Sequence, residues 1–107
     1  MMLASCEQAL RLTIPAVRIA VAKTLADHGM QQKEIANALG VVQPAVSKYL
    51  NHKYSSKVAK IEQLVKGEGL EKAVAEMALN HKSKAEISKN IDRTASRDIL
   101  VRFALGL

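Results

Sequence analysis

The stretch QQKEIANALGVVQPAVSKYLN, Gln31 to Asn51, decides the fold. Its first half places Ile35, Ala36 and Leu39 at the spacing of a short amphipathic helix. Gly40 follows, the residue type best able to take a left-handed conformation at a helix end. The chain resumes at Val42, with Pro44 early and Val46, Tyr49 and Leu50 inward; a proline in the first turn costs little, because those N–H groups have no helical partner. Ala36 is small where two helices cross closely, and Ile35, Leu39, Val41, Val46 and Leu50 hold the pair against the preceding helix. The pattern reads as a helix-turn-helix. Its second helix, Val42 to Asn51, leaves Gln43, Ser47, Lys48 and Asn51 outward. These polar side chains reach base edges and bring no acidic charge against phosphate, as a major-groove helix requires.

Upstream, Ser5 to Leu12 reads as an N-terminal arm or single helix, with Leu3, Ala9, Leu10 and Leu12 docking on the body. Thr13 caps the next helix, whose first turn holds Ile14 and Pro15 and whose inward face is Val17, Ala20, Val21, Thr24 and Leu25. Gly29 ends it. Downstream, Ser55 or Ser56 caps a fourth helix with Val58, Ile61, Leu64 and Val65 on one face, interrupted by Gly67 and Gly69. Leu70, Val74, Met77 and Ala78 mark a fifth. Ser83, with Glu86 three residues later, is a capping box opening a sixth. Ile87, Ile91, Ala95, Ile99 and Phe103 then follow at steps of four, as one long helix or as two broken near Asp92.

Composition agrees with an all-α chain of five to six helices. Sixteen Ala and only seven Gly plus Pro in 107 residues favour helix, since Ala loses no side-chain entropy there. Aromatic residues are 3% with no Trp, so the core is expected to be aliphatic. The length fits one compact body, divided by motif into a helix-turn-helix segment with its arm, residues 1–66, and a helical C-terminal segment, residues 67–107. No apolar run approaches the roughly 20 residues that span a bilayer. A single cysteine, Cys6, and the lack of a leader pattern point to a reducing cytoplasm.

The formal charge of +6 suggests a polyanionic partner, and its placement is more informative than its size. No acidic residue lies between Glu34 and Glu62, while Lys48, Lys53, Lys57 and Lys60 all do. The run PAVRIAVAKTLADHGMQQKEIANALGVVQPAVSKYL, Pro15 to Leu50, resembles small archaeal predicted transcriptional regulators with a lambda-repressor-like (Xre-type) helix-turn-helix. The resemblance covers about a third of the chain, and nothing from Leu70 onward shares it. It implies that Val42 to Asn51 is the recognition helix, with Gln43, Ser47, Lys48 and Asn51 reading bases. Gln32, Lys33, Lys53, Tyr54 and Lys57 would lie near phosphates. One departure is Val42, where such proteins usually present Thr or Ser as the helix cap, a difference of about 1 kcal/mol. Members of the family often carry cysteines near the C-terminus; none stands here, so thiol sensing is not carried over.

The expected partner is double-stranded DNA, bound by a homodimer formed through the C-terminal helices, because one short helix reads only a few base pairs. The expected activity is transcription regulation, repression in the first instance, with the effector unknown. The alternatives are a protein-interaction module, such as an antitoxin or adaptor, and a nucleic-acid binder without sequence preference. Tyr49 packs in the hydrophobic seam by its spacing from Val46 and Leu50. His28, His52, His81 and Cys6 lack zinc-site spacing, and surface or capping roles suit the histidines. No phosphate loop, carboxylate pair or nucleophile elbow is present, so neither a cofactor nor an enzymatic activity is expected.

Overall fold

Only Arg18, Lys23 and Thr24 are polar in the segment from Ala16 to Leu25, and a helix so largely apolar has to be covered over most of its circumference. That is its position in the computed structural model, which describes the chain from Met2, and its side chains from Cys6, to Leu107. Helix α1 (Met2–Asp27) is a 26-residue spine. At 1.5 Å per residue it is about 39 Å long, the length of the molecule's 40 Å longest axis. Six shorter helices wrap it: α2 (Gln32–Leu39), α3 (Gln43–Leu50), α4 (Ser56–Gly67), α5 (Lys72–Leu79), α6 (Lys84–Ala95) and α7 (Asp98–Leu105). Each of the six packs on α1, and α2 also packs on both α3 and α6. No strand occurs among the described residues.

A single core runs from Ala9 to Ala104 and is made of Ala, Val, Ile and Leu, with no aromatic side chain fully buried. Both segments expected from the sequence contribute to it. Ile35, Ala36 and Leu39 of α2 and Val46 of α3 enter from one side, and Ile87, Ile91, Ala95 and Leu100 from the C-terminal half.

Two expectations are corrected. The arm and the second helix are one: α1 is continuous through Pro15, and Thr13 is a fully buried interior residue whose hydroxyl has no partner, not a cap. A proline there forgoes one helical hydrogen bond at a cost of about 3 kcal/mol. Burial of Ala9, Ala16, Val17, Ile19 and Ala20 along the same spine outweighs that cost. The docking expected of Leu3 lies outside the described side chains. At the other end, the steps-of-four row is two helices, and the break falls at Ser96 and Arg97, beyond Asp92. The described residues thus form seven helices where five or six are expected. Ser96 folds its hydroxyl back onto the Asp92 carbonyl at 2.7 Å, and Arg97 turns extended at φ −61°, ψ 140°. The inward register thereby slips by one residue. Leu100 and Ala104 are buried, while Ile99 and Phe103, the continuation of the row, are exposed.

Five helix ends share one device. At Gly29, Gly40, His52, Gly69 and His81 the backbone turns to positive φ. The next N–H in each case reaches the carbonyl five residues back: Met30 to Leu25, Val41 to Ala36, Lys53 to Lys48, Leu70 to Val65 and Lys82 to Met77. These are Schellman closures, which satisfy carbonyls that the helix leaves open. Gly40, at φ 69°, lets α2 end and α3 begin within three residues. His52 and His81 hold the same conformation without glycine's freedom.

Candidate nucleic-acid interface

Helix α3 is eight residues long and fully buries only Val46, so most of its circumference faces outward. Gln43 and Lys48 are exposed, Ser47 half-buried, and the first turn contains no acid. Its N-cap, Val42, has an extended backbone and a side chain that accepts no hydrogen bond, and Pro44 sits in the first turn. Helix α2 starts differently. Glu34 reaches back to the Gln31 N–H at 3.1 Å, closing the start of the helix with a carboxylate.

The starts of α2 and α3 meet. Gln32, Gln43, Pro44 and Ser47 line one open depression of about 420 Å3, so three of the residues singled out in the sequence are brought together. Lys33 is exposed on the first turn of α2, and Lys57 on the first turn of α4. Lys53 is exposed in the turn between α3 and α4. Asn51 is exposed at the end of α3, with its amide donating to the Ser47 carbonyl at 2.8 Å, so that part of its hydrogen-bonding capacity is spent on ending the helix. Tyr49 is half-buried against the core, as its spacing implies.

Tyr54 is placed differently from the lysines around it. Its hydroxyl donates to Glu62 Oε1 at 2.6 Å and accepts from Lys23 Nζ, also at 2.6 Å. Lys23 donates as well to Glu62 Oε2 at 2.8 Å and lies 3.1 Å from His52 Nδ1. Its ammonium stands 5.2 Å from the Tyr54 ring centroid. Glu62 is buried, so both carboxylate oxygens are committed inside the fold. The network ties α1 to α4 and fastens the α3–α4 turn between them, which fixes how α3 is presented.

Burial alone would push the Lys23 ammonium down. The hydrogen bonds to Glu62 and Tyr54 and the Glu62 charge outweigh it and hold the group above its ordinary value. Tyr54 is raised by burial first and by its bond to Glu62 second, against the opposing effect of Lys23. At neutral pH Lys23 is therefore an ammonium and Tyr54 a neutral phenol. Lys23, His52 and Glu62 escape a reading of the sequence, although Glu62 carried a signal. It lies within the inward register Val58, Ile61, Val65, where an acid has to find a partner.

A second surface differs in kind. Ile99 (41%) and Phe103 (39%) are exposed on α7 beside the exposed ion pair Asp98–Arg102. Among the described residues no group of His, Cys, Asp or Glu is arranged to hold a metal ion, and no helix is long and apolar enough to cross a membrane. Compared with protein-family models, with curated proteins and with solved structures, the chain matches none of them.

Proposed function

We propose that the chain is a DNA-binding transcription regulator in which α2, the Gly40 turn and α3 form a lambda-repressor-like helix-turn-helix, with α3 as the recognition helix. One observation carries the reading: a short helix, fully burying only Val46, presents a polar, acid-free face beside a depression shared with the start of the helix before it. A helix of that size and chemistry suits the major groove.

Gln43, Ser47 and Lys48 read base edges, and Asn51 contributes what its bond to Ser47 leaves. Gln32, Lys33, Lys53 and Lys57 hold phosphates on either side. Tyr54 acts from within, setting the turn that carries Lys53. The chain works in the cytoplasm as a homodimer, with the apolar face of α7 supplying contact between copies, and represses by occupying its site; catalysis has no part in it. The formal charge of +6 also suits binding without sequence preference.

Selection of bound sequences from random double-stranded DNA at two salt concentrations, with single-stranded RNA as competitor, tests the reading. Enrichment of an inverted repeat is the expected result. Retention at low salt without enrichment means binding through charge alone, and no retention moves the function to a protein partner.

A further inference from the structure

We infer that Val42 is a specificity-determining residue at the start of α3, packing its side-chain methyl groups on the 5-methyl of a thymine in the major groove; this rests on the DNA-binding reading above. Val42 is 69% exposed, more than any other large hydrophobic side chain among the described residues. The others of that kind, Ile99, Phe103, Leu105 and Leu107, belong to α7 and the residues after it. Val42 is separate from them, and is followed by the exposed Gln43 and Pro44.

The position is unfavourable to the free protein on two counts. Val42 is the N-cap of α3, with an extended backbone at φ −79°, ψ 151°, and its side chain has no oxygen to accept from the N–H groups that the first turn leaves open. Two other N-caps show what the same backbone allows. Ser55 at φ −66°, ψ 156° and Ser83 at φ −62°, ψ 150° accept from the Val58 and Glu86 N–H groups, each at 3.2 Å. Val42 forgoes that bond and gains no burial in exchange. A lone exposed valine is ordinary on a surface, but at a helix cap it also displaces a hydrogen bond.

The major groove supplies what the fold does not. Each base edge shows hydrogen-bond donors and acceptors there, and thymine alone adds an apolar group, its 5-methyl. An isopropyl group set against that methyl buries apolar surface on both sides. A cytosine in the same place presents an amino donor, which Val42 would strip of water without a partner. The neighbouring Gln43 has the amide that matches adenine N6 and N7, so the start of α3 is fitted to A·T pairs. The depression lined by Gln32, Gln43, Pro44 and Ser47 is open, which leaves the approach to this end of the helix free.

The test uses the duplex enriched by the selection, with each thymine replaced in turn by deoxyuridine, a change that removes the methyl and keeps every hydrogen-bonding group. Binding of the full chain is read by fluorescence anisotropy. At one thymine the replacement is expected to weaken binding about fourfold, the worth of one buried methyl. Val42→Ser is expected to bind that duplex and its parent equally, and to melt about 4 °C higher because serine supplies the missing cap. A purely structural role for Val42 would not give lost discrimination together with gained stability. Indifference of the unaltered chain to every replacement, or undiminished discrimination by Val42→Ser, overturns the role of Val42 and leaves DNA binding standing. If no sequence is enriched at all, the DNA-binding reading fails and the thymine contact falls with it.

Discussion

The α2–α3 and α6–α7 pairs are assembled alike and present opposite surfaces. Each is two short helices packed on α1 and joined by a tight change of direction: Gly40 at φ 69° in the first, an extended Arg97 in the second. Each buries an aliphatic stripe. The first leaves Gln43 and Lys48 to solvent, and the second leaves Ile99 and Phe103. The inward stripe therefore fixes only that the pair forms and docks; the residues left over fix what it can meet. Each pair also lies near one ion pair of almost the same length, Lys23–Glu62 at 2.8 Å and Asp98–Arg102 at 2.9 Å. The side chains of the first are 16% and 7% exposed, those of the second 80% and 76%. Equal distance and unequal burial should give unequal energies.

The largest effect is expected at Glu62. Glu62→Ala leaves the Lys23 ammonium largely buried without its anion and the Tyr54 hydroxyl without its acceptor, at a cost of about 3 kcal/mol. For a chain of this size that lowers the Tm by on the order of 15 °C, read by calorimetry. A loss under about 1 kcal/mol would show that water reaches the network and would erase the contrast with the α7 pair.

The same network sets an alkaline limit. Lys23 and Tyr54 both hold their protons more tightly folded than unfolded. Their contribution is therefore complete below the ordinary values, 10.5 for Lys23 and 10.0 for Tyr54, and it is lost as pH climbs through the raised ones. Urea midpoints should hold steady up to about pH 10 and then fall. In Glu62→Ala that fall should be shallower, because the bonds to Glu62 help to raise both groups, although burial is the larger cause at Tyr54.

On the proposed recognition surface, Lys48→Ala should cost about 2 kcal/mol of affinity for a selected site while leaving the Tm within about 1 °C, because Lys48 is exposed. Uniform weakening across unrelated sequences would reduce Lys48 to a phosphate contact. Gly40→Ala should cost about 1 kcal/mol of stability, since its φ of 69° suits no Cβ. The added carbon would meet only the flexible Lys84 side chain, at 3.3 Å, so strain and not collision sets the loss. An unchanged urea midpoint would mean that the turn relaxes.

The two regions also differ in how far they could be read in advance. Between Gln31 and Asn51 each short-range signal agrees with the tertiary outcome: Gly40 takes the left-handed turn, Pro44 sits in a first turn, and Ile35, Leu39 and Val46 are buried. At α7 the signals compete. A row at steps of four from Ile87 to Phe103 says one helix, yet Ser96 and Arg97 break it and move the inward register to Leu100. Nothing in the spacing announces an extended Arg97. Thr13 and Pro15 misled for the opposite reason. They are capping and first-turn residues by type, but a helix surrounded by six others gains more from burial than it loses at one proline. Of the candidate interface, the exposure of Gln43, Lys48 and Lys53 was legible because polar residues at those positions fall outside the inward stripe. The Lys23–Tyr54–Glu62 network was not, because its members are 31 and 39 residues from Lys23 along the chain and meet only after α4 has docked.

The smallest effect is expected where the comparison is most easily broken. In a double-mutant cycle of Asp98→Ala and Arg102→Ala, the coupling should be about 0.3 kcal/mol, the ordinary value for an exposed pair one turn apart. It should vanish at 1 M salt, where the screening length is about 3 Å. The pair flanks Ile99 and Phe103, the apolar residues that α7 leaves uncovered. If a second copy packs on that face, Asp98 and Arg102 lose solvent, and screening no longer reaches them. A coupling above about 1 kcal/mol that survives salt and grows with protein concentration would then mark α7 as the contact between copies. A weak coupling, independent of concentration up to tens of micromolar, would separate the proposed DNA surface from any dimer built on α7.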